Sequence, residues 1–151
     1  MRPIVIDTRE QRPWEFPEWA DVRHRKLDFG DYALEGDAGY AIERKSLSDF
    51  VGTLSIGRGR FGREIGRARG GMARMDVIVE ASFHQIMFNM QDGVMVPPEY
   101  GHPKVNPGAV CKWISELMLE DGVSVLFCDD PSHAAYMAYT LLLERDMILD
   151  R

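Results

Sequence analysis

Apolar and polar positions alternate along the chain in blocks whose length and spacing predict an ordered series of strands and helices. Short runs of apolar and β-branched residues, bounded by Gly, Pro or charged residues, are typical of strands. Such runs predict strands at residues 3–7, 22–27, 32–34, 40–45, 75–81 and 123–128. Gly36-Asp37 stands between the third and fourth of these runs, which predicts a hairpin.

Apolar residues spaced three and four positions apart predict the helices. Ser46 is a suitable N-cap for a first helix that contains Leu47, Phe50, Val51 and Leu54. A second helix, ending at Gly70-Gly71, has an inward apolar face and an outward basic face, formed by Phe61, Ile65 and Ala68 and by Arg60, Arg63 and Arg67. Further helices are predicted at residues 82–88, 107–120 and 131–147.

The order of these elements predicts the fold class. Strands gathered near the N-terminus, followed by alternating helices and strands, indicate an α/β fold with helices flanking a central mixed β-sheet. Residues 90–107 contain four prolines and two glycines, so we expect a long irregular loop there. No linker or repeat divides the chain, and we expect residues 1–151 to form a single domain.

Composition excludes several classes of protein. With 45% apolar and 28% charged residues, the chain has the composition of a globular protein. No apolar run approaches the roughly 20 residues of a membrane-spanning helix, and the first residues lack the apolar stretch of a signal peptide. Cys111 and Cys128 match neither a zinc motif nor a disulfide framework. We therefore expect a cytoplasmic protein with no membrane partner.

The net charge of −6 is unfavourable for binding nucleic acid, but it is unevenly distributed. Residues 44–74 contain eight basic residues, seven of them Arg, and two acids, so this segment carries +6 and the remainder −12. Arg is the better phosphate ligand because its planar fork matches phosphate oxygens. A solvated Arg-rich helix face is the alternative interpretation. The predicted phosphate contacts are Arg58, Arg60, Arg63 and Arg67.

Candidate chemistry is concentrated in Asp31, Glu43 and Lys45. Asp31 lies in a predicted turn, and Glu43 and Lys45 lie on the strand that follows. Side chains alternate along a strand, so Glu43 and Lys45 share one face while Arg44 points to the other. Two carboxylates suit a hard cation such as Mg²⁺ or Mn²⁺, and an ammonium group beside them suits the activation of water at phosphorus. The set is typical of metal-dependent phosphodiester hydrolysis; a simple ion pair with Glu43 is the alternative for Lys45.

The order of these residues resembles the nuclease domain of the XPF family of structure-selective DNA endonucleases. The matching signature is Gly30-Asp31, then Glu43-Arg44-Lys45-x-x-x-Asp49, preceded by Asp7-x-Arg9-Glu10. The similarity continues through residues 54–58, 77–80 and 125–133 and covers almost the whole chain apart from the predicted loop. The resemblance implies a restriction-endonuclease-like core, and we expect a stand-alone catalytic domain.

The resemblance also implies a role for each residue of the signature. The residues that it assigns to metal binding and catalysis are Asp31, Glu43 and Asp7, with Lys45 as the catalytic base or charge stabiliser. The residues that it places around them are Arg44, Asp49, Glu10 and Glu80. Arg44 is expected to brace Asp49 or another acid, or to offer its backbone carbonyl to the metal. Glu80 is either a supporting residue of the site or purely structural, and Arg9 is expected to pair with Glu10.

The implied substrate is branched, flapped or nicked DNA, cut during repair, recombination or replication. The implied assembly is a homodimer through residues 131–147, within which residues 134–143 leave almost no polar face. Two alternatives stay open: a non-catalytic DNA-binding or dimerisation partner of a nuclease, and a restriction or mobile-element nuclease of the same fold. Whether a separate protein directs the domain to DNA also stays open.

Overall fold

The computed structural model describes residues 1–53, 57–71, 73–87, 89–91, 94–96 and 107–151. The strands in these parts of the chain are β1 (Ile4–Ile6), β2 (Val22–His24), β3 (Tyr32–Leu34), β4 (Tyr40–Ser46), β5 (Arg74–Glu80), β6 (Asn89–Gln91), β7 (Val94–Val96) and β8 (Val125–Phe127). The helices are α1 (Leu47–Thr53), α2 (Arg58–Gly70), α3 (Phe83–Met87), α4 (Pro107–Leu119) and α5 (Pro131–Leu149).

Six strands form one mixed sheet in the order β2-β1-β3-β4-β5-β8. β3 runs antiparallel to both of its neighbours, β1 and β4, whereas the other neighbouring pairs are parallel. β4 and β5 pair over seven residues, from Tyr40 opposite Arg74 to Ser46 opposite Glu80. The predicted α/β architecture around a mixed sheet is confirmed, and the carboxyl ends of β4 and β5 lie side by side.

The sheet is covered on both faces, and β4 contributes alternate residues to each face. On one face, α1, α2 and α4 pack a core that includes Phe50, Phe61, Trp113 and Val77. On the other face, α5 packs against a second core that includes Tyr40 and Ile42 of β4. Both faces of the central strands are buried, which matches the nearly continuous apolar sequence of β5.

Helix α5 is held to the sheet by ion pairs as well as by its small apolar residues. The Arg145 Nε atom lies 2.7 Å from Asp37 Oδ2, in the turn of the β3–β4 hairpin. The Arg2 Nη1 atom lies 2.7 Å from Asp146 Oδ1, a buried carboxylate on the inner side of the helix. These pairs join the first strand, the hairpin and the last helix into one body.

Several predictions about the elements differ from the structure. β2 ends at His24 rather than at residue 27, and β8 spans Val125–Phe127 rather than residues 123–128. The expected irregular loop at residues 90–107 begins with the antiparallel pair β6 and β7, while residues 97–106 lie outside the described residues. α5 continues to Leu149, two residues beyond the predicted end. The segment 54–58 of the family resemblance is described only from Gly57 onward. Within the described chain, no helix is long and apolar enough to cross a membrane.

Candidate metal and nucleic-acid site

A turn that only glycine permits places Asp31 beside β4. Gly30 has a φ of +71°, and a Cβ atom at this position would lie 2.7 Å from the Cβ of Ala41. The Asp31 N–H donates to the Ile42 carbonyl oxygen at 2.8 Å, which fixes the turn to the strand. The Asp31 carboxylate then accepts a hydrogen bond from the Arg44 backbone N–H, with an N···Oδ2 distance of 2.8 Å.

The pleat of β4 directs Glu43 and Lys45 to the face covered by α2. Glu43 is 6% exposed, and its Oε1 lies 2.9 Å from Lys45 Nζ. Its other oxygen, Oε2, is buried and has no hydrogen-bond partner among the described residues. Lys45 Nζ also lies 5.2 Å from the centre of the Phe61 ring. The predicted ion pair between Lys45 and Glu43 is present. Lys45 also borders an open cleft, so a catalytic role stays a prediction.

Asp31 is half-buried and Glu43 is buried, and each has a pKa above its ordinary value. Burial, and then the charge of Glu10 and Glu64, raises the pKa of Asp31, although the Arg44 N–H acts in the opposite direction. Burial, and then the charge of Asp31, raises the pKa of Glu43. A buried carboxylate with an unpartnered oxygen is costly unless a positive group compensates it. The pair therefore fits a divalent cation.

The protein itself offers two ligands to such a cation rather than a full shell. Within the described residues, no group of three or more His, Cys, Asp or Glu side chains lies close enough together to hold a metal ion. Mg²⁺ commonly keeps several water molecules and uses one or two carboxylates together with substrate phosphate oxygens. Asp31 and Glu43 satisfy this requirement.

Glu64 on α2 is the residue that sequence reasoning missed. Its Oε1 accepts a hydrogen bond from the Gly30 N–H, with an N···O distance of 3.0 Å. Its charge raises the pKa of both Asp31 and Glu43. Glu64, Glu43, Lys45 and Arg60 line one cleft of about 330 Å³, which we call the carboxylate cleft. The available signal was that Glu64 is one of only two acids in the basic segment 44–74.

Asp7, a predicted metal ligand, is hydrogen-bonded to Arg9 and Leu27 in the structure. Its Oδ1 accepts hydrogen bonds from the Arg9 N–H and Nε at 2.8 and 2.7 Å. Its Oδ2 accepts from Arg9 Nη2 at 3.0 Å and from the Leu27 N–H at 2.7 Å. Burial alone raises the pKa of Asp7, but these hydrogen bonds hold it below its ordinary value. Both oxygens of Asp7 are therefore engaged by Arg9 and Leu27, and a metal-binding role for Asp7 stays a prediction.

Arg44 points to the opposite face of β4, as expected, but its partners are Glu80 and Glu10 rather than Asp49. Arg44 Nε lies 2.7 Å from Glu80 Oε1, and Nη1 lies 3.1 Å from Glu10 Oε2. The guanidinium carbon lies 5.2 Å from the centre of the Trp14 ring, whose Nε1 also donates to Glu80 at 2.5 Å. Glu80 and Glu10 therefore support Arg44. The expected Arg9–Glu10 pair is wrong, because Arg9 is bound to Asp7.

Asp49 and the predicted phosphate-binding arginines differ in their positions and in their partners. Asp49 is exposed on α1 and borders the carboxylate cleft without belonging to the buried pair. Arg58 is ion-paired with Glu116 of α4 at 2.7 Å, and Arg67 Nε donates to the Asp28 carbonyl oxygen at 3.3 Å. Arg60 lines the carboxylate cleft, and Arg63 is exposed on the same helix. Among the described residues neither of these two has an acidic partner, so Arg60 is the best-placed phosphate contact.

The mixed sheet and the carboxylate pair on β3–β4 define a domain with a restriction-endonuclease-like core. The family model of the ERCC4 domain matches residues 6–141, and the chain belongs to this family. This membership confirms the resemblance that the signature predicted.

Solved structures agree with this assignment at the level of the fold. The structure of XPF from Aeropyrum pernix is similar with a TM-score of 0.69 and 23% identity, over 95% of this chain and 61% of that chain. A second structure of XPF from Aeropyrum pernix, in complex with DNA, is similar with a TM-score of 0.68 and 23% identity, over 97% of this chain and 66% of that chain. The chain thus spans slightly less than two thirds of these proteins. No curated protein matches it.

Proposed function

We propose that this domain is a Mg²⁺- or Mn²⁺-dependent DNA endonuclease that hydrolyses phosphodiester bonds in branched, flapped or nicked DNA. The observation that carries the proposal is the buried Glu43 Oε2, which has no partner among the described residues and belongs to a carboxylate whose charge is opposed by Asp31. Membership of the ERCC4 domain family supports DNA as the substrate. Repair, recombination or replication in the cytoplasm would be the setting.

Asp31 and four side chains that line the carboxylate cleft have roles that follow from their positions. Asp31 and Glu43 would hold the cation, which supplies Lewis-acid charge and lowers the pKa of bound water. Lys45, half-buried with its ammonium group beside Glu43, would position the attacking water or stabilise the negative charge that develops on the phosphate. Arg60 would bind a neighbouring phosphate of the strand. Glu64 positions the turn that carries Asp31.

Cleavage of labelled DNA tests this proposal directly. Single-stranded, duplex, flapped and forked DNA are incubated with Mg²⁺, Mn²⁺ or EDTA, and wild-type protein is compared with Glu43→Gln. The matched control is Glu144→Gln, the same change at an exposed residue of α5. We expect metal-dependent cutting by wild type and by the control, and loss of at least a thousandfold in Glu43→Gln, since metal ligands contribute several kcal/mol to such reactions.

The same assay separates the competing functions. If the wild-type protein binds DNA but never cuts it, the proposed enzymatic activity is contradicted. A non-catalytic partner of a nuclease is then favoured. Equal cutting of plain duplex and branched DNA would contradict structure selectivity and favour a restriction or mobile-element nuclease. Titration of Mn²⁺ by calorimetry reports metal binding independently of cleavage, and Glu43→Gln should weaken it whereas Glu144→Gln should not. Cutting that appears only after a second protein is added would indicate a separate DNA-targeting partner.

A homodimer through α5 is part of the proposal. Met147, Ile148 and Leu149 are 49%, 52% and 37% exposed at the C-terminal end of the helix. Apolar side chains grouped in this way favour association, and a two-fold interface would bury both copies at once. Sedimentation velocity at micromolar concentration should show a dimer, and Ile148→Glu should convert it to a monomer. A monomeric wild-type protein would contradict this part of the proposal.

A further inference from the structure

A second and larger cleft lies on the face of β4 opposite the carboxylate cleft. It has a volume of about 1000 Å³ and runs between the segment 12–19 and the first turns of α5. The aromatic residues that line it are Trp14, Phe16, Trp19, Tyr136 and Tyr139, and we call it the aromatic cleft. Trp19 is 81% exposed and Tyr136 is 77% exposed. Neither side chain contributes much to the core, although both are large and apolar.

The exposed indole of Trp19 is oriented by a hydrogen bond. Its Nε1 donates to the hydroxyl of Tyr139 at 3.3 Å. Tyr139 in turn contacts Phe16, with ring centres 6.4 Å apart, and Phe16 packs edge-on against the buried Tyr32. A flat aromatic surface that is fixed and exposed binds other rings with little loss of conformational entropy. This arrangement is suited to stacking.

The aromatic cleft is continuous with the carboxylate cleft across the ends of β4 and β5. A smaller cleft of about 320 Å³ lies between them. It shares Arg12, Arg44 and Glu80 with the aromatic cleft and Asp49 with the carboxylate cleft. Ser46 and Glu80, which pair at the carboxyl ends of the two strands, form its floor. One strand of nucleic acid leaving the carboxylate cleft would therefore meet Arg12 and then the aromatic rings.

The exposed positive charge along this path is too small for a duplex backbone. Arg44 is neutralised by its two glutamate partners, and the remaining exposed charges of the aromatic cleft are Arg12 and Glu15. A duplex would need a strongly basic surface to offset its phosphates. Stacking on aromatic side chains tolerates any base, and single-strand binding adds cationic contacts to the backbone. Arg12 is the exposed cation of the aromatic cleft that could make such a contact.

We propose that the aromatic cleft binds the unpaired nucleotides of a single-stranded DNA arm, whose bases stack on Trp19 and Tyr136 next to the cleavage site. The proposal rests on the proposed nuclease function and names the part of its substrate that this surface recognises. A second copy of the chain is the competing occupant. The exposed residues at the C-terminal end of α5 lie eleven residues beyond Tyr136, about 16 Å along the helix, so a dimer there does not require the aromatic cleft.

Binding of two DNA molecules without divalent metal tests the inference. One is a duplex with a single-stranded arm that contains 2-aminopurine, and the other is the same duplex without the arm. We expect wild-type protein to quench 2-aminopurine fluorescence and to bind the armed duplex about tenfold or more tightly, since each stacked base typically contributes that much. Trp19→Ala and Tyr136→Ala should lose most of both effects, whereas Trp19→Phe should keep most of them.

A matched control and two contrary outcomes make the test decisive. Leu119→Ala removes an apolar side chain that is 86% exposed on α4, away from the aromatic cleft, and should bind both DNA molecules as wild type does. If Trp19→Ala and Leu119→Ala bind the armed duplex equally, the inference is overturned. If Trp19→Ala instead dissociates a wild-type dimer in sedimentation, the cleft belongs to the second copy and the inference is again overturned.

Failure of the proposed nuclease function gives a different result from failure of this inference. Suppose that the protein quenches 2-aminopurine fluorescence in a manner that depends on Trp19 but cuts no DNA with any metal. This result contradicts the nuclease function and supports DNA binding in the aromatic cleft. Protein that cuts DNA with Mg²⁺, but whose preference for the arm is the same without Trp19, contradicts the aromatic cleft and supports the nuclease.

Discussion

Replacement of Glu43 by Gln is expected to stabilise the metal-free protein at neutral pH while removing its activity. Burial, and then the charge of Asp31, raises the pKa of Glu43 from an ordinary value of 4.5 to about 8. Between these values the folded protein keeps a proton that the unfolded chain has released. The free energy of unfolding therefore falls as the pH rises through this window.

The change in the free energy of unfolding is set by the single proton that the folded protein keeps on Glu43. Each pH unit inside the window lowers the free energy of unfolding by about 1.4 kcal/mol. The stability is full below the unfolded pKa and declines until the pH reaches the folded pKa. At pH 7 the loss is about 3 kcal/mol relative to a neutral side chain. Gln keeps an oxygen that accepts from Lys45 Nζ, so Glu43→Gln removes the loss while preserving the contact.

Urea unfolding at pH 5, 7 and 8 in EDTA measures this difference. We expect the stability of wild type to fall over the series relative to Glu43→Gln, and Glu144→Gln, an exposed change of the same kind, to follow wild type. Mg²⁺ should restore stability to wild type but not to Glu43→Gln, because ligand binding to the folded state stabilises it by mass action. Parallel curves for wild type and Glu43→Gln, or a variant less stable than wild type at pH 8, would refute the reasoning.

Three further outcomes test other parts of the structure. Gly30→Ala, at φ +71° with a close neighbour, should lose about 1–3 kcal/mol or more in urea unfolding, and Gly36→Ala, at φ +79° in open space, should lose less; equal losses would contradict the close contact. Arg60→Ala should reduce the salt dependence of DNA binding, measured by fluorescence anisotropy, by about one unit of slope, whereas the ion-paired Arg69→Ala should reduce it less; equal slopes would contradict the placement of Arg60. Asp146→Asn should cost about 1–3 kcal/mol at pH 7. Burial alone raises the pKa of Asp146, but hydrogen bonds from Arg2 and the charge of the N-terminal ammonium group hold it below its ordinary value. Its stabilisation is present above the unfolded pKa and is lost as the pH falls through the lower folded pKa, so urea unfolding should show wild type and variant converging in acid; a constant difference would contradict the ion pair.

The elements that carry the site could be predicted because each obeys a local period. The two-residue period of β4 predicts that Glu43 and Lys45 share a face, and the structure places both against α2. The helical period of α2 predicts a buried face of Phe61, Ile65 and Ala68, which is confirmed. Burial of one defined face depends only on residues that are close in sequence, so periodicity is sufficient for it.

The partners of the charged side chains could not be predicted in the same way. The oxygens of Asp7 are satisfied partly by Leu27, twenty residues away, and Arg44 reaches Glu80 on the neighbouring strand. Such pairs depend on strand order and register, which local patterns do not contain. The β6–β7 pair was missed for another reason: prolines and glycines around it outweighed two short runs of only three residues each.

Helix α2 links the two halves of the proposed site. Arg60 and Glu64 are one helical turn apart and line the same cleft. Because Glu64 accepts a hydrogen bond from the Gly30 N–H, a shift of the helix at Arg60 would also shift the partner of the Asp31 turn. In the proposed nuclease, phosphate binding at Arg60 would therefore be coupled through α2 to the position of the Asp31 turn. A basic residue in place of Glu64 would strengthen phosphate binding but would remove the acceptor and place a second cation against the metal. In the proposed site, Glu64 thus supports the Asp31 turn through the Gly30 N–H, while its charge adds to the negative charge that a cation would compensate.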